Sequence, residues 1–146
     1  MNPGQWIRNQ WQKLKRFWPQ APSLGRRGEA AAARFLKKKG YVIVARSDRM
    51  RLGELDLVAV DGRTVVFVEV KTRRSHESGH PAEAVGDDKQ RRLTRLALTY
   101  LKRHNLLEYP ARFDVVAVTW ADDRREPVIE HFPNAFEAVG QWQLFG

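Results

Sequence analysis

The chain has 146 residues, 42% of them hydrophobic and 29% charged, which suits one globular domain with a single core. Lysine and arginine number 26 against 17 acids, and the net charge of +9 points to a polyanionic partner, nucleic acid before an acidic membrane surface. The absence of cysteine excludes disulfides, thiolate metal sites and cysteine nucleophiles, and it fits a reducing cytoplasm.

Residues 1–22 form an extension distinct in character from the rest of the chain. Ile7, Trp11, Leu14 and Trp18 recur at helical spacing, flanked by Arg8, Lys13, Lys15 and Arg16. The apolar run of a signal peptide or membrane span is absent from it, so no transmembrane segment is expected. Such a basic amphipathic helix can pack on its own domain or a second subunit, or meet nucleic acid or a membrane surface. Pro19 to Ser23 reads as a linker.

The main domain is expected over 23–132. Ser23 is a candidate N-cap for a helix from Leu24 to Lys39, with Ala32, Phe35 and Leu36 on its apolar side and Gly40 as its stop. Tyr41 to Arg46 reads as a strand and Ser47 to Leu52 as a polar loop carrying Arg49 and Arg51.

Next come two strands rich in β-branched residues, Leu55–Val60 and Val65–Val70, with turn residues between them. With Gly62 and Arg63 as the central turn pair, Asp61 meets Thr64, Val58 meets Phe67, Asp56 meets Glu69 and Glu54 meets Lys71. With Asp61 and Gly62 central, Asp56 moves one diagonal from Glu69 but keeps its face. One face, with Leu55, Leu57, Ala59, Val66, Val68 and Val70, is wholly apolar and should be buried. The other carries Val58, Val60, Val65 and Phe67 at its turn end and Glu54, Asp56, Glu69 and Lys71 at its open end. Opposed carboxylates about 5 Å apart repel unless a proton or cation lies between them, and hard oxygen ligands suit Mg²⁺ or Mn²⁺.

A polar loop comes after Lys71. Its His76 and His80 lack the further ligand pair that a zinc site needs. Asp87 or Asp88 can cap a helix running to Asn105, with Leu93, Leu96, Ala97, Tyr100 and Leu101 as its stripe and Lys89, Arg91, Arg92 and Arg95 on its first turns. Phe113–Trp120 and Val128–Phe132 are the last strands. Asp114, inside an apolar run, reads as a structural hydrogen-bonding group or an edge position rather than a metal ligand. The tail, 133–146, with Phe136, Trp142 and Phe145, is expected to pack on the domain or a partner. The order of elements gives an α/β sandwich with a mixed central sheet flanked by helices.

Asp56 followed by Glu69-Val70-Lys71 resembles the signature of the PD-(D/E)XK nuclease superfamily. The ordered set Gly28-Glu29, Gly40-Tyr41, Gly53-Glu54-Leu55-Asp56-Leu57, Val66 to Arg73, and Ala84-Val85 with Lys89 is similar to the bacterial YraN-like family, which is likened to archaeal Holliday-junction resolvases. Leu55 stands where the superfamily signature has proline. The resemblance implies a restriction-endonuclease-like fold and a Mg²⁺-dependent nuclease acting on DNA, branched DNA included. It implies Asp56, Glu69 and the carbonyl of Val70 as metal ligands. Asp56, Glu69, Lys71 and Glu29 would be catalytic, and Arg46, Arg51, Arg73, Lys89 and Arg92 would contact nucleic acid. It further implies a homodimer, since related resolvases make two symmetric cuts. Two rival readings stand beside it: a non-catalytic nucleic-acid-binding module that keeps the fold, and an interaction protein that docks through its N-terminal helix.

Overall fold

The computed structural model describes residues 2–15, 22–74, 85–122 and 125–140. Helix α1 spans Pro3–Lys15, helix α2 Leu24–Lys38 and helix α3 Asp87–Arg103. The strands are β1 Val42–Met50, β2 Gly53–Asp61, β3 Thr64–Arg73, β4 Ala111–Thr119 and β5 Val128–Phe136. They form one sheet in the order β1-β2-β3-β4-β5. Only the β3–β4 pair is parallel, and it is bridged by the crossover through α3. The expected mixed-sheet α/β sandwich is thus the observed one.

Helices α2 and α3 each cover one face. Leu36 and the Ala31–Ala33 run of α2 pack on Leu57, Ala59, Val66, Val68, Val116 and Val118. Leu93, Leu96, Ala97, Tyr100 and Leu101 of α3, the stripe read from the sequence, pack on Val58, Phe67, Phe113 and Val115. Both faces of the β2–β3 hairpin are therefore core, the second through the apolar residues Val58, Val65 and Phe67 at its turn end. The reason is position: β2 and β3 lie inside the sheet, and such strands read as continuous apolar runs.

The hairpin takes the first of the two registers. Val58 pairs with Phe67, Val60 with Val65 and Asp61 with Thr64. Gly62, with φ of 61°, sits at the first central turn position, where a positive φ is needed and glycine supplies it without strain. The ladder ends at Leu57–Val68. Beyond it, Leu55 departs from the expected face and joins the α3-side cluster. The alternation breaks at Asp56, which lies between the pairs Arg46–Leu57 and Asp48–Leu55 and opposite Ser47. Ser47 itself has φ of 49°, outside the extended region.

Other boundaries shift as well. Ser47 to Leu52 is not a loop: β1 runs on to Met50, and a two-residue turn at Arg51 and Leu52 leads into β2. β5 continues past Phe132 to Phe136, with Pro133 inside it, tolerated because β5 is an edge strand. Ser23 caps α2 as expected, its Oγ accepting from the Arg26 N–H at 3.2 Å, and Gly40 comes just after the helix with φ of 96°. The N-cap of α3 is Gly86, not Asp87 or Asp88, which instead sit in the first turn, where they favour the helix dipole. Trp6 and Ile7 of α1 are exposed. Trp18, His76, His80, Trp142 and Phe145 lie outside the described residues.

Asp114 is structural, in line with the expectation. It is fully buried on β4 and accepts from Arg112 Nε (3.0 Å), His131 Nε2 (2.7 Å) and the Asn134 N–H (2.9 Å). Lys39 Nζ lies 2.8 Å from His131 Nδ1, and an ammonium only donates, so Nδ1 accepts and Nε2–H faces the carboxylate. Burial alone would raise the Asp114 pKa; the three donors outweigh it and hold the carboxyl below its ordinary range.

Candidate active site

The acids and lysines gather where the β2–β3 ladder stops. Past Leu57 and Val68 the strands no longer exchange backbone hydrogen bonds, and Asp56 takes over: its Oδ2 accepts from the Val70 N–H at 2.9 Å. The carboxylate is thereby fixed at the open end of the hairpin. Three elements converge on it. Glu29 comes from the first turns of α2, Glu54 from the start of β2 and Lys89 from the first turn of α3.

Glu29, Glu54 and Asp56 each offer one oxygen, and these three oxygens lie within 4.8 Å of one another. Mg²⁺ takes oxygen ligands at about 2.1 Å, so neighbouring ligands stand about 3 Å apart and only an opposite pair about 4 Å. The oxygen donor set therefore suits one hard divalent cation, with the three oxygens drawing together around it. Sequence reasoning expected Glu69 rather than Glu54 beside Asp56 in this role. Glu69 is 7% exposed and is held by cations instead: Lys89 Nζ forms an ion pair with its Oε1, and Lys71 Nζ lies 3.4 Å from the same oxygen. Among the described residues Glu54 pairs with Arg49, at 3.7 Å, and forms no ion pair with Lys71. The break in alternation at Asp56 is the cause, because it separates Glu54 from the face that carries Lys71.

Glu29 is positioned by a contact that the sequence did not reveal. Ser47 Oγ donates to Glu29 Oε2 at 2.5 Å and accepts from Arg26 Nη1 at 3.3 Å. The left-handed backbone of Ser47 sits between Arg46 and Asp48 and marks the site. A serine in a basic stretch gives no sequence signal for it. Gly28 sets the depth of α2: a Cβ there would come within 2.9 Å of the Thr72 Cβ, so only glycine lets the helix settle against β3 beside Glu29.

The electrostatics result from this crowding. Burial, then the charges of Glu69 and Glu29, push the Asp56 pKa up to about 7, against the lowering effect of the Val70 N–H. Burial and the neighbouring Lys89 lower the Lys71 pKa, and Glu69 only partly restores it. Burial would also lower Lys89, but its bond to Glu69 wins and the net shift is upward.

The expected nucleic-acid contacts divide by position. Lys89 is in the site. Arg46 is exposed on β1 and lines a hollow on the α2 side with Arg26 and Arg34. Arg92 lines a smaller hollow with Leu52, Asp88, Arg91 and Arg95 on the α3 side. Arg51 occupies the β1–β2 turn, and Arg73 ends β3, its carbonyl accepting from the Trp120 N–H at 2.9 Å. The backbone N–H of Val70 is engaged by Asp56.

These features define an α/β sandwich with an acidic cluster, bordered by lysines, at the open end of its central hairpin. The chain belongs to the uncharacterised protein family UPF0102, whose profile matches residues 28–118. It is 51% identical over 126 residues to a UPF0102 protein of Rhodopirellula baltica, covering 84% of this chain and 75% of that one. To a UPF0102 protein of Geotalea uraniireducens it is 50% identical over 115 residues, 79% of this chain and 90% of the other. A third, from Geobacter metallireducens, is 49% identical over 115 residues, 79% and 93% of the two chains. Among the described residues no helix is long and apolar enough to cross a membrane.

Proposed function

We propose that the protein is a metal-dependent endonuclease of the PD-(D/E)XK type that hydrolyses phosphodiester bonds in DNA, branched DNA included, in the cytoplasm. The observation that carries this reading is the convergence of Glu29, Glu54 and Asp56 beside the Glu69–Lys71–Lys89 group. Asp56, with Glu29 and Glu54, would hold Mg²⁺, or Mn²⁺ as a substitute, and Glu69 and the Val70 carbonyl join them if Lys89 releases Glu69 to the substrate phosphate. Bound there, the metal would polarise the scissile phosphate and acidify a water molecule.

The protein's own groups do the rest. Asp56 is held by the Val70 N–H and Glu29 by Ser47, so both carboxylates are oriented before a cation arrives. Lys71 is half-buried and less basic than a free lysine, which suits it to orient the attacking water. Lys89 exchanges Glu69 for a phosphate oxygen as DNA arrives. Exposed arginines on both helix sides grip the backbone without reading sequence. If the related resolvases are a guide, the working form is a homodimer.

One observation favours the rival reading of a binding module: Glu69 is already neutralised by two lysines. The discriminating experiment is cleavage of labelled single-stranded, duplex, flap and four-way-junction DNA with Mg²⁺, Mn²⁺ or EDTA, comparing wild type with Asp56→Asn and Lys71→Ala. Metal-dependent cutting that both variants lose, with binding intact, supports the nuclease. Binding without cutting on every substrate leaves the module.

A further inference from the structure

A hollow of about 600 Å³ opens between α2, β1 and the β4–β5 connection, on the α2 side of the acidic cluster. Arg26, Arg27, Arg34, Arg46 and Arg125 line it over the edge of Trp120, and among the described lining residues Glu126 is the single acid. Arg26, Ala30 and Arg34 succeed one another at helical spacing of four, so Ala30 leaves a gap between two arginines on one stripe of α2. The Arg27 guanidinium lies 4.7 Å from the centre of the Trp120 ring, which is 5% exposed. That cation–π contact anchors the Arg27 side chain at the floor of the hollow. Arg26, Arg34, Arg46 and Arg125 are all exposed, so like charges crowd a concave surface.

The hollow is joined to the acidic cluster by two hydrogen bonds, Arg26 to Ser47 and Ser47 to Glu29. An anion seated on Arg26 is therefore a near neighbour of any phosphate at Glu29 and Asp56. We propose that this hollow binds the phosphate backbone of an unpaired DNA strand continuous with the strand in the acidic site. This deepens the nuclease reading and rests on it: the substrate becomes one with a single-stranded arm beside the point of cleavage. Concavity decides for one strand. A volume of about 600 Å³ is that of a small-molecule site. A duplex offers its phosphates on a convex rod and spans such a hollow without entering it, whereas a flexible strand tracks it inward.

The test is fluorescence anisotropy on the full chain in EDTA, so that binding is read without cleavage. The probes are a short single-stranded deoxyoligonucleotide, a blunt duplex and a single-stranded RNA of the same sequence. The variants are Arg34→Ala with Arg125→Ala, which removes two exposed charges of the hollow, and Ala30→Glu, which fills the gap and keeps every arginine. The control, with the same one-unit change of charge as Ala30→Glu, is Arg63→Ala, at the far β2–β3 turn, where Arg63 is exposed. Both hollow variants should weaken single-stranded DNA binding at least about tenfold while duplex binding changes less than about threefold. The double variant should lower the salt slope by about 1.4. Equal losses on strand and duplex, a loss confined to RNA, or the same loss from Arg63→Ala would overturn the proposal. Melting curves matching wild type certify that the variants are folded. Cleavage assays with Mg²⁺ are separate: a protein that never cuts but shows this selective loss refutes the nuclease and keeps the hollow.

Discussion

Asp56→Asn should make the metal-free protein more stable. The Asp56 carboxyl has its pKa pushed from 3.8 up to about 7, chiefly by burial and by Glu69. A raised acid stabilises the fold while protonated; that contribution is complete below pH 3.8 and is lost as pH rises through about 7. At about 1.4 kcal/mol per pH unit the full difference corresponds to about 4 kcal/mol. Partial exposure and relaxation around the site reduce the expected gain to about 2 kcal/mol. Asparagine keeps the shape, and its carbonyl oxygen still accepts from the Val70 N–H. Thermal melting in EDTA at pH 8 should therefore show a Tm about 6 °C above wild type. At pH 5 only about a third of the difference should remain, since the unfolded carboxyl is already ionised there, and below pH 3.8 it should nearly vanish. Saturating Mg²⁺ should raise the wild-type Tm, by about 2.7 kcal/mol of stability at a hundredfold excess over Kd, and leave the variant unmoved. An asparagine variant less stable than wild type at pH 8, or a gain of equal size at both pH values, would refute the account of a carboxylate crowded by its neighbours.

Other named contacts carry their own expected outcomes. Gly28→Ala should cost at least about 2 kcal/mol by denaturant titration, because the new methyl meets Thr72 and forces α2 and Glu29 away from β3. Asp114→Ala should cost about 3 kcal/mol, since it strips a fully buried acceptor from Arg112, His131 and the Asn134 N–H. Its depressed pKa also means that this stability is present above pH 3.8 and lost as pH falls further, visible as an acid-unfolding limb that the variant lacks. Ser47→Ala should be less stable than Ser47→Gly by about 1 kcal/mol, because glycine adopts φ of 49° without penalty while both lose the bond to Glu29. Equal stabilities would show that the left-handed backbone carries no cost. With about six phosphate contacts, DNA affinity should drop about 10³-fold between 50 and 200 mM salt, measured by filter binding; a salt-insensitive complex would exclude the electrostatic picture.

The register of the hairpin was legible to within two alternatives: turn chemistry left Gly62–Arg63 or Asp61–Gly62 as the central pair, both keeping Asp56 on one face, and only the folded ladder sets Asp61 against Thr64. The stripes of α2 and α3 were legible from their helical period. What escaped was every feature made by a departure from regularity. Glu54 joins Asp56 and Glu29 because alternation fails opposite Ser47, and no residue type announces a single left-handed serine. The polar run Arg46-Ser47-Asp48-Arg49 resembles a loop, yet it is strand, since edge strand β1 leaves side chains to water. The Lys89–Glu69 pair needed the docking angle of α3, which a one-dimensional pattern does not contain.

The single hydrogen bond from the Val70 amide to Asp56 makes that amide a resident probe. Its proton resonance senses the charge on the carboxylate, so a ¹⁵N-correlated spectrum would track protonation near pH 7 and the arrival of a divalent ion at one identifiable peak. Chemical occupancy of the site can thus be read before any substrate has been found.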